Sequence, residues 1–289
     1  MAGVGSPTYP AIMQFSFFTK ILPVLTLLGV LAVTGCGRGP DDTDQVHVTV
    51  TAVPDGAEPG GSVTLLWKFA IAPDWHLYWS GRNDSGYPPR IDLILPEGWL
   101  AGGLQWPVPE RYVMPGDILD HVYHHELVLM QKVGVAADAR PGDTVTITAK
   151  VGWLACKDSC VPGGDELAFE IPVVIHAEEG SSEDLAAARA RLPEPLPAGL
   201  LETRWEGPVF HVASPEADRM TFMPTEDCGE LNDLLRDGRG SPLALEFRKK
   251  RGTAGPVRGL ITLETPQGAP RTYRIDFPAT VLTAASPGG

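Results

Sequence analysis

Cys156 and Cys160 are the residues of this chain whose type and spacing could do chemistry. They bound the segment Cys156-Lys157-Asp158-Ser159-Cys160, which follows the apolar run Val151-Gly152-Trp153-Leu154-Ala155 and precedes Pro162 and Gly163-Gly164. An apolar run closed by a charged triplet and then Pro/Gly reads as a strand entering a tight turn. Three intervening residues let the cysteines oppose each other across a hairpin mouth, where Cβ atoms lie about 4.5–5.5 Å apart. A disulfide needs about 3.5–4.5 Å, so a slight pinch of the turn closes the bond. Left closed, such a pair is a structural staple. Opened and closed, it is a thiol–disulfide exchange centre, in which one thiolate attacks and a neighbouring thiol displaces the mixed disulfide. A loop this short would hold the bond under some strain, and strained, exposed disulfides are easier to reduce. Lys157 favours a Cys156 thiolate and Asp158 opposes it, so the local sequence does not select the attacking sulfur.

Metal binding is a third chemistry open to these residues. His121, His124 and His125 cluster upstream, and His76 is a further candidate. Two thiolates with imidazoles can hold zinc or copper(I). The spacing matches no zinc pattern, and clustered histidines are more often plain polar surface residues, so this is the weaker binding reading. Asp84 and Glu110 are loop acids without a clear base partner, and no Ser/His/Asp array, phosphate loop or paired-carboxylate site stands out. No cofactor is called for. Cys228, in Glu226-Asp227-Cys228-Gly229, has no cysteine partner nearby in sequence and is expected to be buried and inert.

The elements that must position the pair are strands. Val46, Val48, Val50 and Ala52 alternate with polar neighbours, as do Val63, Leu65, Trp67, Phe69 and Ile71; both are period-two strands with one buried face. Further strands are expected at Ile91–Leu95, Leu127–Val135, Val145–Val151 and Leu167–Ile175. Glycine (32) and proline (28) are abundant enough to supply the turns between them. Many short strands between turn signals point to an all-β sandwich over residues 45–177. Residues 178–197 break the pattern: Ser181 or Ser182 can cap a short helix from Asp184, and Pro193, Pro195 and Pro197 then make a stiff linker. A second, smaller β-sandwich is expected over residues 198–281, with a disordered tail at 282–289.

The chain has 289 residues, 43% of them hydrophobic, enough for one or two domains with real cores. Its net charge is −13, and an acidic surface argues against nucleic acid and against electrostatic membrane binding. The first 36 residues read as an export signal. Lys20 precedes the apolar run Ile21–Val33, which is shorter than the roughly 20 residues that span a bilayer, and small residues follow. The ending Val33-Thr34-Gly35-Cys36 resembles a bacterial lipobox, which implies cleavage before Cys36, lipidation of Cys36 and a membrane contact through the lipid anchor only. Residues 37–44 would be a polar tether. Outside the cytoplasm thiols do not stay reduced by default, so the pair is either a lasting disulfide or one that something actively reduces.

An ordered set of motifs adds a family likeness. Trp75-His76-Leu77-Tyr78-Trp79, Asp84-Ser85-Gly86-Tyr87-Pro88, Leu95-Pro96-Glu97-Gly98-Trp99 and Gln105-Trp106-Pro107-Val108-Pro109-Glu110-Arg111 lead to Trp153-Leu154-Ala155-Cys156-Lys157-Asp158-Ser159-Cys160-Val161-Pro162. This resembles the N-terminal periplasmic domain of the DsbD/ScsB group of thiol:disulfide interchange proteins, most densely over residues 62–176. The resemblance implies an immunoglobulin-like sandwich whose exposed cysteine pair takes electrons from a membrane donor and reduces periplasmic thiol-redox proteins. It further implies that Cys160 forms the mixed disulfide and Cys156 resolves it. Read from their own types and places, Trp75, His76, Tyr78 and Trp153 are expected to pack in the core and turns or to shield the site. The family's membrane helices and thioredoxin-like domain have no counterpart after the signal here, so the donor would be a separate membrane protein. Where the family has a Gly-Tyr-Glu-like piece, this chain reads Val122-Tyr123-His124-His125-Glu126, which puts in doubt any transfer of the site-shielding residues.

Overall fold

The structure is a computed structural model and describes residues 45–177, 182–248, 253–266 and 268–281. The expected signal, Cys36, the tether and the tail lie outside the described residues.

Ten strands build the first half: β1 (Val46–Val53), β2 (Ser62–Ile71), β3 (His76–Tyr78), β4 (Arg90–Ile94), β5 (Leu100–Gln105), β6 (Glu110–Met114), β7 (Ile118–His124), β8 (Glu126–Gly134), β9 (Thr144–Cys156) and β10 (Cys160–Pro172). They form two antiparallel sheets, one in the order β1-β2-β8-β5 and the other β10-β9-β3-β7-β6, with β4 pairing on β9. The period-two face of β2 meets the facing sheet. Trp67 stands edge-on to Phe169 at 6.0 Å, and Phe69 edge-on to Trp153 at 6.3 Å. Leu127, Leu129 and Val133 of β8 and Ile147, Ala149 and Val151 of β9 complete this core. Each fully buried side chain of this size contributes about 1.5–3 kcal/mol. This is the immunoglobulin-like sandwich.

The expected strands are present, and four more join them, the short β3 and β5, β6 and β7. β7 is buried from Leu119 to Tyr123, so it shows no alternation, and Asp120 and His121 hide it further. β5 carries Gly102-Gly103 at a register shift between Ala101 and Leu104, which breaks its periodicity. β6 is a mostly exposed edge strand. Ile175 does not continue the buried face expected of it and is 71% exposed. The reason is that β10 leaves the β9 ladder at Pro172, and Val173 pairs with Ala57 instead.

Helix α1 (Glu183–Ala190) starts at Ser182, whose hydroxyl accepts from the Leu185 amide. Its Leu185 and Ala188 pack on Val53, Leu66 and Met130. The proline segment after it is held rather than free: β11 (Glu194–Pro195) adds to the second half as a parallel edge strand.

The second half contains β12 (Glu202–Glu206), β13 (Val209–Ala213), β14 (Arg219–Pro224), the short helix α2 (Leu234–Asp237), β15 (Arg239–Gly240), β16 (Leu243–Glu246), β17 (Thr253–Ala254), β18 (Val257–Glu264), β19 (Arg271–Phe277) and β20 (Thr280–Val281). Sheets β11-β19-β18-β14-β15 and β12-β13-β16 close over Phe210, Phe222, Leu245, Phe247, Ile261 and Tyr273, a smaller sandwich. The two halves are joined tightly. Met223 and Leu260 of the second half sit in the core of the first, and Gly81 bridges to Thr225. The Arg82 amide donates to the Pro224 carbonyl, and its guanidinium to the Cys228 carbonyl.

Candidate functional site: a cysteine pair at a hairpin tip

β9 and β10 run antiparallel in register from Thr144↔Pro172 to Cys156↔Cys160, so the two cysteines form the last pair before the turn. They are joined by a disulfide with Cα atoms 4.1 Å apart. Lys157 closes the turn by donating its amide to the Ser159 carbonyl. The two sulfurs belong to residues in unlike surroundings. Cys156 is 2% exposed, against Tyr78, Val122 and Leu154, whereas Cys160 is exposed at the tip. Gly163 is a glycine for a local reason: a Cβ there would come within 2.3 Å of Trp153 Nε1.

β3 brings the aromatic motif to the pair. His76 lies opposite Cys156 in register, and Tyr78 reaches the outer sulfur, its hydroxyl 3.8 Å from Cys160 Sγ. The same hydroxyl is 3.4 Å from His76 Nε2 and 3.2 Å from Ser85 Oγ. Ser85 Oγ in turn donates to Asp120 Oδ2 at 2.5 Å. The wholly buried Asp120 carboxylate also accepts from the amides of Asp84 and Ser85, at 2.8 and 3.0 Å. Asp84 returns the contact by accepting from the Leu119 amide at 2.7 Å, so the 84–85 loop is fastened to β7 from both sides. Burial raises the pKa of Tyr78 above its ordinary value.

Of the residues expected to shield the site or pack beneath it, His76 and Tyr78 are at the pair. Trp153 faces the core with Phe69, and Trp75 is half-buried, its carbonyl accepting from His124 Nδ1 at 3.3 Å. The upstream histidines are not one surface cluster. His121 is fully buried, donates from Nδ1 to the Arg82 carbonyl at 2.8 Å and packs on Trp79; burial pushes its pKa down to about 4. His124 stands 5.6 Å, centroid to centroid, from both His76 and Tyr112. His125 is exposed in the β7–β8 turn with φ of 64°. Alternation along β7 sends 121 and 124 to opposite faces, which is why the triplet is split. Among the described residues no group of three or more His, Cys, Asp or Glu could hold a metal ion. Burial, and then the neighbouring His124, lowers the pKa of His76.

Lys157, which follows Cys156 in the turn, is paired with Asp74. Its ammonium is 2.9 Å from Asp74 Oδ2 and so is shared with a counter-charge. Cys228 is a buried free thiol, and its burial raises its pKa. Sequence reasoning missed Asp120, Ser85 as its partner, and Tyr112. The only signal was Ser85's place in the Asp84-Ser85-Gly86-Tyr87 motif.

The model of the N-terminal domain of thiol:disulfide interchange protein DsbD matches residues 44–171. Among solved structures, the N-terminal periplasmic domain of ScsB from Proteus mirabilis aligns with a TM-score of 0.55 at 15% identity, covering 83% of this chain and 96% of that one. That coverage exceeds either half, so the likeness in fold extends into the second sandwich. The reduced N-terminal domain of DsbD from Neisseria meningitidis aligns at 17% identity over 44% of this chain and 85% of that one, with a TM-score of 0.28. No curated protein matches the chain. No helix among the described residues is long and apolar enough to cross a membrane.

Proposed function

We propose, from the match of residues 44–171 to the N-terminal domain of the DsbD thiol:disulfide interchange family, that Cys156 and Cys160 pass electrons between a membrane donor and exported thiol proteins. The observation that carries this reading is the asymmetry of the pair, an exposed Cys160 bonded to a buried Cys156. A donor thiolate can reach only the outer sulfur. It attacks Cys160 Sγ, the Cys156–Cys160 bond breaks, and Cys156 leaves as a thiolate that takes up a proton. The donor's second thiol then attacks its own sulfur in the mixed disulfide and releases Cys160. Two electrons and two protons have moved to the pair, and the donor is left as a disulfide. In the discharging half, the Cys160 thiolate attacks a target disulfide and Cys156 resolves it. The donor would be a separate membrane protein and the targets periplasmic thiol-redox proteins. The chain would be held on the periplasmic side by lipid on Cys36.

The burial of Cys156 at the end of a long ladder also suits a structural staple in a non-catalytic envelope module. Two measurements separate the readings. A reduction potential below about −300 mV marks a structural bond, and a higher one an exchanging pair. A Cys156→Ala variant is expected to accumulate partners disulfide-bonded through Cys160; failure to trap any partner counts against exchange.

A further inference from the structure

A line of side chains ends on the outer sulfur: Asp120, Ser85, Tyr78, Cys160. Proton counting decides how it is wired. A carboxylate only accepts, so the 2.5 Å contact uses the single hydroxyl proton of Ser85. Ser85 Oγ can therefore only accept from Tyr78, 3.2 Å away. The phenol proton has three places to go: Ser85 Oγ, Cys160 Sγ at 3.8 Å, or His76 Nε2 at 3.4 Å in the tautomer that leaves that nitrogen unprotonated. A disulfide sulfur is a weak acceptor; a thiolate is an anion, and a hydrogen bond to it is charge-assisted.

We propose that the Tyr78 hydroxyl is a catalytic hydrogen-bond donor to Cys160, turning from Ser85 to the sulfur when the disulfide opens. This deepens the exchange reading and rests on it. Rotation about the phenol C–O bond is the only movement required. The tyrosine keeps its proton and carries no electrons. It stabilises one species, the Cys160 thiolate, which attacks the target disulfide in the discharging half and leaves the donor's mixed disulfide in the charging half. Ser85 and Asp120 are positioning residues: Asp120 commits the serine proton, and Ser85 holds the phenol proton while the pair is oxidised. The ring is held in place by the Gly86 backbone, where a Cβ would come within 2.1 Å of Tyr78 Cζ. Other titratable or charged groups around the sulfur and the phenol are His76 on β3, Tyr112 on β6, His124 on β7, and Asp158 with the Lys157–Asp74 pair at the turn.

The test uses the full chain carrying Cys156→Ala, with the rate of iodoacetamide alkylation at Cys160 followed against pH by mass spectrometry. Adding Tyr78→Phe is expected to move the midpoint up by about one pH unit, a tenfold smaller thiolate fraction below it. Adding Ser85→Ala instead removes the nearer competing acceptor and is expected to move the midpoint down. A merely structural role for these side chains would not produce opposite shifts. A Tyr78→Phe profile that superimposes on its parent overturns the proposal, as does a Ser85→Ala midpoint that rises. Both variants are conservative, and Ser85→Ala preserves the backbone bonds to Asp120, so either profile decides independently. Failure of the exchange reading would show separately, as a wild-type potential in the structural range, while the alkylation profile still decides the hydrogen bond.

Discussion

Gly86 shows how much of the site rests on single atoms. The Tyr78 ring lies where a side chain at 86 would begin, so Gly86→Ala must displace the ring that carries the hydroxyl. Overpacking of this kind costs about 1–3 kcal/mol, and chemical denaturation is expected to register a loss in that range. His121 bears on stability through its charge. In the unfolded chain it takes up a proton near the ordinary histidine pKa of about 6.5; in the fold, burial lowers that to about 4. Between those values the unfolded state binds more protons than the native one. Stability is therefore full above about pH 6.5 and falls as the pH drops towards 4, by up to roughly 3 kcal/mol. His76 is shifted in the same direction and adds to the slope. A His121→Gln chain should show a flatter dependence of its denaturation midpoint over this window; an unchanged slope would assign the effect elsewhere. None of this was legible from residue type. His121 has the spacing of a surface histidine beside an acid, and only the burial of β7 on both faces removes it from water.

The β9–β10 hairpin is the element that makes opening the pair tolerable. Its ladder runs thirteen residues on each strand, and the disulfide closes only the last loop. A bond across so short a loop restricts the unfolded chain little, about 2 kcal/mol in the chain-entropy estimate. Reduction is therefore expected to lower stability by no more than about 2 kcal/mol and to leave the strands paired. Denaturation curves of the oxidised and reduced protein measure this directly. A reduced chain that unfolds outright would identify the bond as a staple. This hairpin was readable in advance because its ladder follows apolar alternation into a charged triplet and a Pro/Gly stop. β6 and β7 were not, since neither an exposed edge nor a strand buried on both faces alternates. They contribute Tyr112 and Asp120, the parts of the site that the sequence left invisible.

Across the whole molecule, the two sandwiches share packing instead of hanging on a linker. Met223 and Leu260 sit in the first core, α1 packs on Leu66 and Met130, and β11 continues into the second sheet. Neither half can open without exposing apolar surface of the other, so thermal unfolding is expected as one cooperative transition by both tryptophan fluorescence and far-ultraviolet dichroism. Two separated transitions would mean that the contacts between the halves are weaker than their burial suggests.

The all-β class, most strands, the capped helix and the cysteine hairpin follow from the sequence alone, because each depends on local periodicity, turn chemistry or short spacing. The ordered motifs around Trp75, Asp84, Trp106 and Cys156 sufficed for the family. Tertiary structure alone decided which sulfur is exposed, that Lys157 is engaged by Asp74, and that Tyr78, Ser85 and Asp120 meet over Cys160. Apart from Tyr78 and Ser85, which are seven positions apart, those contacts join residues 35 to 83 positions apart. No local rule relates such positions; the register of β3 between β7 and β9 does.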